Sequence, residues 1–89
     1  MSPVDGEWNV HETVSSEDKQ ILATALEGHL VANYEPVAVA SQAVNGVNYL
    51  FIAKSTPVTL NPRTDLVKIY VSVVPAGSEP ELIAINSMI

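Results

Sequence analysis

The sequence contains no cysteine, few basic residues and no long apolar run. Without cysteine the chain has no disulfide framework, no thiolate metal ligand and no cysteine nucleophile. Four bases against ten acids give a formal charge of −6, which argues against binding to a phosphate backbone. No apolar run approaches the ~20 residues of a membrane helix, and the N-terminus lacks the features of a secretory signal. We therefore expect no nucleic-acid or membrane partner, and a cytoplasmic location.

Chain length and motif content argue for one small domain without catalytic chemistry. The 89 residues, of which 47% are apolar, suffice for a single core spanning residues 1–89. The two histidines, His11 and His29, form no metal-binding or catalytic pattern, and we expect His29 to be partly buried beside a helix. No phosphate loop, nucleophile elbow or dinucleotide-binding glycine pattern occurs. We expect neither an enzyme nor a cofactor or metal site.

One amphipathic helix is predicted in the first half of the chain. Residues 15–18, Ser-Ser-Glu-Asp, suit a helix start because a serine side chain caps free N–H groups and acids favour the positive end of the dipole. An apolar stripe follows at helical spacing: Ile21, Leu22, Ala25, Leu26 and Leu30. Gly28 inside this pattern predicts close contact with a sheet. Asn33 and the step at Glu35–Pro36 are expected to end the helix, since the residue before proline avoids helical geometry.

Segments with a period of two, which is typical of strands, lie on both sides of the helix. The predicted strands are residues 8–11, 37–44, 47–54, 65–74 and 82–85. Asn45–Gly46 is a strong hairpin signal, because a type I′ turn needs positive φ at both central residues. This order predicts an α+β fold with one helix packed on a four- to five-stranded antiparallel sheet.

The direction of successive strands predicts which turns lie together. Antiparallel neighbours alternate in direction, so alternate turns fall at the same end of the sheet. The turns at Asn45–Gly46 and Pro75–Ala76 therefore share one end, and the connection at residues 57–64 lies at the other. Two turns side by side predict a common contact surface.

The residues of these turns match a known pattern. Residues 42–46, Gln-Ala-Val-Asn-Gly, fit a Gln-x-Val-x-Gly motif and are followed by Asn48–Tyr49. Val74–Pro75 lies between the last two strands, and Gly6 precedes the first. In these features the chain resembles the cystatins, which are reversible protein inhibitors of papain-like cysteine proteases. The lack of cysteine and of a signal points to the stefin-like (type 1) branch, in which Leu-Pro is common at the second turn.

The resemblance implies a cystatin-like fold whose first strand lies beside the second. It also implies tight, reversible inhibition in which the N-terminal segment and two hairpin loops occlude the cleft of a papain- or cathepsin-type protease. Gln42 would orient the first loop or bond across the interface, Gly46 would allow close backbone approach, and Val44 and Val74 would add apolar contacts. The expected protease-binding residues are Val4, Gly6, Gln42, Ala43, Val44, Asn45, Gly46, Val74 and Pro75.

Two other interpretations also fit the sequence. Asp5, just before Gly6, and the polar tip at Asn45 differ from the family's usual residues and favour a non-inhibitory interaction module of the same fold. Such a module would be a domain-swapped dimer, since hinge hairpins are routes to swapping, whereas the inhibitor is expected to be a monomer. A small ligand-binding domain would require an internal apolar pocket.

Overall fold

A computed structural model describes residues 6–29 and 32–88, so the predicted features at Val4, Asp5 and Leu30 lie outside the described residues. One helix packs against a five-stranded antiparallel sheet whose strand order follows chain order. The elements are β1 (Trp8–Val10), α1 (Ser16–Ala25), β2 (Ala32–Val44), β3 (Gly46–Pro57), β4 (Asp65–Val73) and β5 (Glu81–Ser87). The predicted α+β class is confirmed.

The core lies between α1 and one face of the sheet. The register places Val39, Phe51 and Ile69 side by side on β2, β3 and β4, and all three are buried. Leu22 and Ala25 of α1 close the cluster from the other side. Because side chains alternate along a strand, the residues directly before and after each of these core positions on its strand point away from the helix.

The start of α1 is capped as the sequence predicts. The Asp18 N–H donates to the Ser15 hydroxyl over 3.1 Å, and the Ser15 N–H donates to the Asp18 carboxylate over 3.0 Å. This reciprocal capping box satisfies two N–H groups that would otherwise lack partners. It also fixes the position of the Asp18 carboxylate, on a side chain that is only 8% exposed.

The end of α1 lies earlier than predicted, at Ala25. Gly28 has a φ of +83°, a conformation that ends helices and that residues with a Cβ rarely adopt. A Cβ added to Gly28 would meet nothing within 4 Å, so the expected close contact with the sheet is wrong. His29 follows this turn and is exposed, not partly buried as expected.

The strand β2 is correspondingly longer than predicted and begins at Ala32. Its first residues pair with the last residues of β3, so Glu35 and Pro36 lie within a strand instead of ending a helix. Long-range pairing with β3 thus overrides the local signal. Pro36 fits because it lies at a register shift and on the half of β2 that β1 does not cover.

Candidate functional site

The loops that join β2 to β3 and β4 to β5 adjoin at one end of the sheet. Val47 at the start of β3 is the register partner of Val73 at the end of β4, so the two loops leave neighbouring positions. The predicted common end is therefore confirmed. We use the term "the rim" for the surface formed by Gly6, residues 43–46 and residues 74–76.

Gly46 is the point at which the two loops touch. A Cβ on Gly46 would overlap the carbonyl oxygen of Val73, and it would lie 2.9 Å from the Val74 Cα and 3.0 Å from the Ala76 N. The φ of Gly46 is +137°, which further restricts the position to glycine. The lack of a side chain at Gly46 thus allows the backbones of two loops of this chain to lie close together.

The tip of the first loop differs from the predicted turn. Val44 and Gly46 are register partners, which leaves Asn45 alone at the apex. Positive φ is confined to glycines among the described residues, so Asn45 lacks the geometry of a type I′ turn and that prediction is wrong. The packing of the second loop against Gly46 sets the conformation here, in place of the local preference of Asn-Gly.

The N-terminal segment is held against the first loop by hydrogen bonds to Gly6. The Gly6 N–H donates to the Ala43 carbonyl over 3.2 Å. The side-chain amide of Gln42 donates to the Gly6 carbonyl over 2.8 Å and accepts from the Asn48 amide over 3.0 Å. The Gln42 side chain is therefore used within the chain, where it aligns the start of β1 with the rim. Val4 lies outside the described residues.

The second loop is a compact turn. The Val74–Pro75 peptide bond is cis, and the Ser78 N–H donates to the Pro75 carbonyl over 3.1 Å. Gly77, the third residue of that four-residue turn, has a φ of +86°, as in type II turns.

Exposed valines project from both loops of the rim. Val44 is 38% exposed and Val74 is 42% exposed, and Asn45 and Pro75 are exposed beside them. Gln42, Ala43 and Gly46 are partly covered. Residues 43–46 and 74–76 include no ionisable side chain, so this part of the rim offers apolar contact and backbone groups but no acid, base or charge.

A polar cluster that the sequence does not indicate lies just below the rim. His11 Nδ1 lies 3.1 Å from the Asp18 carboxylate, and His11 Nε2 lies 2.8 Å from the Ser41 hydroxyl. Nδ1 carries the proton, because an ionised carboxylate only accepts hydrogen bonds. Burial raises the pKa of Asp18, but the hydrogen bonds from His11 and Ser15 outweigh it and hold that pKa below its ordinary 3.8. The three side chains come from distant positions, and only the Ser15–Asp18 cap is visible in the sequence.

The cluster connects elements of the fold. The hydrogen bonds link Ser41 to His11 and His11 to Asp18, as in the serine–histidine–aspartate triad of a hydrolase. Ser41, however, lies in β2 with β1 on one side and β3 on the other. Its backbone N–H is therefore committed to the sheet and is not free to stabilise an oxyanion. The effect of the cluster is to join β1, α1 and β2 immediately behind the rim. Burial, with the negative charges of Asp18 and Glu17, raises the pKa of the nearby Tyr49 phenol.

No protein-family model, curated protein or solved structure matches the chain. Within residues 6–29 and 32–88, no group of three or more His, Asp or Glu side chains is placed to hold a metal ion. Over the same part of the chain, no helix has the length and apolar character needed to cross a membrane.

Replacing Gln42 with alanine is expected to loosen the N-terminal segment. The change removes both side-chain hydrogen bonds and lowers the free energy of unfolding by about 1 kcal/mol. We expect faster amide hydrogen exchange at Gly6 and Trp8, measured by NMR. Gln20→Ala is the matched control, because its amide bonds only to Thr24 on the exposed face of α1. Equal exchange at Gly6 in the two variants would contradict the clamping role.

Proposed function

We propose that the protein is a reversible, tight-binding inhibitor of papain-like cysteine proteases, of the stefin-like cystatin type. The rim is the part that enters the protease cleft. The observation that carries this proposal is the contact of Gly46 with residues 73–76, which joins the Gln-Ala-Val-Asn-Gly motif and the Val74–Pro75 loop into one surface. The hydrogen bonds of Gly6 add the N-terminal segment to the same surface.

Inhibition in this proposal is occlusion and involves no covalent step. A cysteine protease cleaves only when a carbonyl is held near its thiol with the oxygen at the oxyanion donors. Two tight turns fill the cleft on either side of the thiol without presenting a carbonyl in that geometry. Because neighbouring strands and hydrogen bonds hold the loops in place, little conformational entropy is lost on binding.

The two exposed valines add apolar contact to the binding in this proposal. Burying the exposed part of Val44 and of Val74 contributes on the order of 1 kcal/mol each at ~25 cal/mol per Å². Residues before Gly6, including Val4 and Asp5, would extend into the unprimed side of the cleft. The Asp5 carboxylate is unfavourable in an apolar subsite unless it is paired there. A cysteine-free inhibitor fits a reducing compartment, and we propose a cytoplasmic location.

Titration of papain and of a cathepsin-L-type enzyme with the protein tests the proposal. We expect stoichiometric loss of hydrolysis of a fluorogenic peptide at submicromolar protein. Val44→Asp is expected to raise the inhibition constant about 20-fold, since a carboxylate replaces an apolar contact in a desolvated cleft. Val58→Asp is the matched control, because this exposed valine lies in the connection at the opposite end of the sheet.

The outcomes separate the proposal from its alternative. Unchanged hydrolysis at high micromolar protein would exclude inhibition and leave the non-inhibitory interaction module. Inhibition that Val44→Asp and Val58→Asp weaken equally would show that another surface enters the cleft.

A further inference from the structure

The face of the sheet that points away from α1 is apolar at its centre. Val39, Phe51 and Ile69 are core residues, so their neighbours along each strand point outward. These central outward residues are Val10, Ala38, Ala40, Leu50, Ile52, Tyr70, Ile83 and Ala84. Val10 is 80% exposed and Ile83 is 58% exposed. A solvent-facing side of an antiparallel sheet is normally polar, so this composition requires a cause. We use the term "the outer face" for this surface.

Polar residues border the outer face at both ends. Toward the rim, Gln42, Asn48, Ser72 and Glu81 form one line of register partners, and Trp8 lies at the β1 end of that line. At the opposite end the border contains Lys54, its register partner Glu35, and Lys68, so lysines outnumber acids there. An apolar patch with a polar border is typical of a protein–protein interface.

Two hollows shape the outer face. The larger, about 310 Å³, is bounded by residues that include Trp8, Tyr70 and Ile83. The smaller, about 210 Å³, lies beside it and is lined by Val10, Ala38, Val39, Ala40, Leu50 and Ile52. The surface therefore has recesses next to exposed apolar side chains, so the side chains of one copy can insert into the recesses of a second copy.

We propose that the outer face is the interface of a homodimer in which two sheets pack face to face with their strands running in opposite directions. The charge at the two ends determines the direction. With opposed strands, the lysine end of each copy meets the end of the other that carries Glu81. With aligned strands, the lysine ends of the two copies would coincide and Glu81 would lie away from them, which is unfavourable. The proposal does not depend on protease inhibition.

The size of the outer face determines the strength of the dimer. The five strands are about 4.8 Å apart and range from three residues in β1 to 13 in β2, so a face with an average strand length of roughly eight residues covers about 600 Å² per copy. The total of about 1,200 Å² lies at the lower limit of stable interfaces. We therefore expect a dimer that forms and dissociates reversibly with a micromolar dissociation constant. Opposed strands leave the two rims at opposite ends, so each remains free to bind its own partner.

Sedimentation velocity over a concentration series tests the proposal. We expect a monomer at ~1 μM and mainly dimer at several hundred μM, with rapid dissociation on dilution. Trp8, the single tryptophan, borders the interface, so its emission should shift to the blue with the same concentration dependence. Val10→Lys should raise the dissociation constant at least tenfold. Leu60→Lys should not, because Leu60 is 99% exposed outside the outer face.

A charge exchange tests the direction of packing. Glu81→Lys alone should weaken the dimer several-fold, and adding Lys68→Glu should restore most of the loss. A monomer at every concentration would overturn the proposal, as would equal effects of Val10→Lys and Leu60→Lys. A dimer that fails to dissociate over hours would overturn it too, because that behaviour indicates exchange of strands. Failure of the charge exchange to restore binding would overturn the opposed arrangement.

Discussion

Replacing Gly46 with alanine is expected to lower the free energy of unfolding by about 3 kcal/mol or more. The positive φ alone costs a residue with a Cβ roughly 1–2 kcal/mol. The added Cβ also overlaps the Val73 carbonyl and crowds the Val74 and Ala76 backbone, so one of the two loops must move. Because the backbone, not a flexible side chain, occupies the space, little relaxation is available. Urea unfolding followed by circular dichroism measures the loss.

Gly77→Ala separates the two causes. Gly77 also has a positive φ, +86°, but a Cβ there meets nothing within 4 Å. We expect Gly77→Ala to cost only the conformational part, roughly 1–2 kcal/mol. Equal losses for the two variants would contradict the assigned contact between the loops. A substitution at Gly46 is accordingly no clean test of protease contact, since it disturbs the rim itself. Val44→Asp is the better choice.

Local signals in the sequence predict some elements well. The Ser15–Asp18 cap and the stripe of Leu22 and Ala25 depend on residues within one or two turns, and the structure confirms both. The sequence also predicts which strand residues share a face of the sheet, because the alternation of apolar and polar residues is a local property. The local signals place the end of α1 too late, because the pairing of residues 32–36 with the end of β3 joins segments that are distant in the sequence. No local pattern contains that information.

In the candidate site, too, the sequence predicts some features and does not predict those that depend on contacts between distant segments. The direction of successive strands predicts that the loops around Asn45 and Pro75 share an end, and the topology confirms it. The role of Gly46 follows only from its distances to residues 73–76, which the motif does not reveal. The hydrogen bonds from His11 to Asp18 and Ser41 connect the end of β1 with α1 and β2, and no residue spacing in the sequence predicts them.

Replacing Asp18 with alanine is expected to lower the free energy of unfolding by about 2–3 kcal/mol at neutral pH. The change removes the half of the capping box in which the Ser15 N–H donates to the Asp18 carboxylate, and it leaves His11 without its acceptor in a partly buried site. We expect a lower urea midpoint and loss of order where β1 meets α1. Glu17→Ala is the matched control, because Glu17 is exposed in the same first turn and should change stability by no more than ~0.5 kcal/mol.

The stabilisation that Asp18 provides should also depend on pH in one direction. Its folded-state pKa lies below 3.8, so the unfolded chain binds the proton more readily than the folded chain does. The contribution is therefore fully present above the unfolded pKa and is lost as the pH falls through the folded pKa. The difference in unfolding free energy between the parent protein and Asp18→Ala should therefore be smaller at about pH 2.5 than at about pH 5. A difference that stays constant or grows down to ~pH 2.5 would refute the assigned hydrogen bonds to the carboxylate, because only an ionised Asp18 provides this stabilisation.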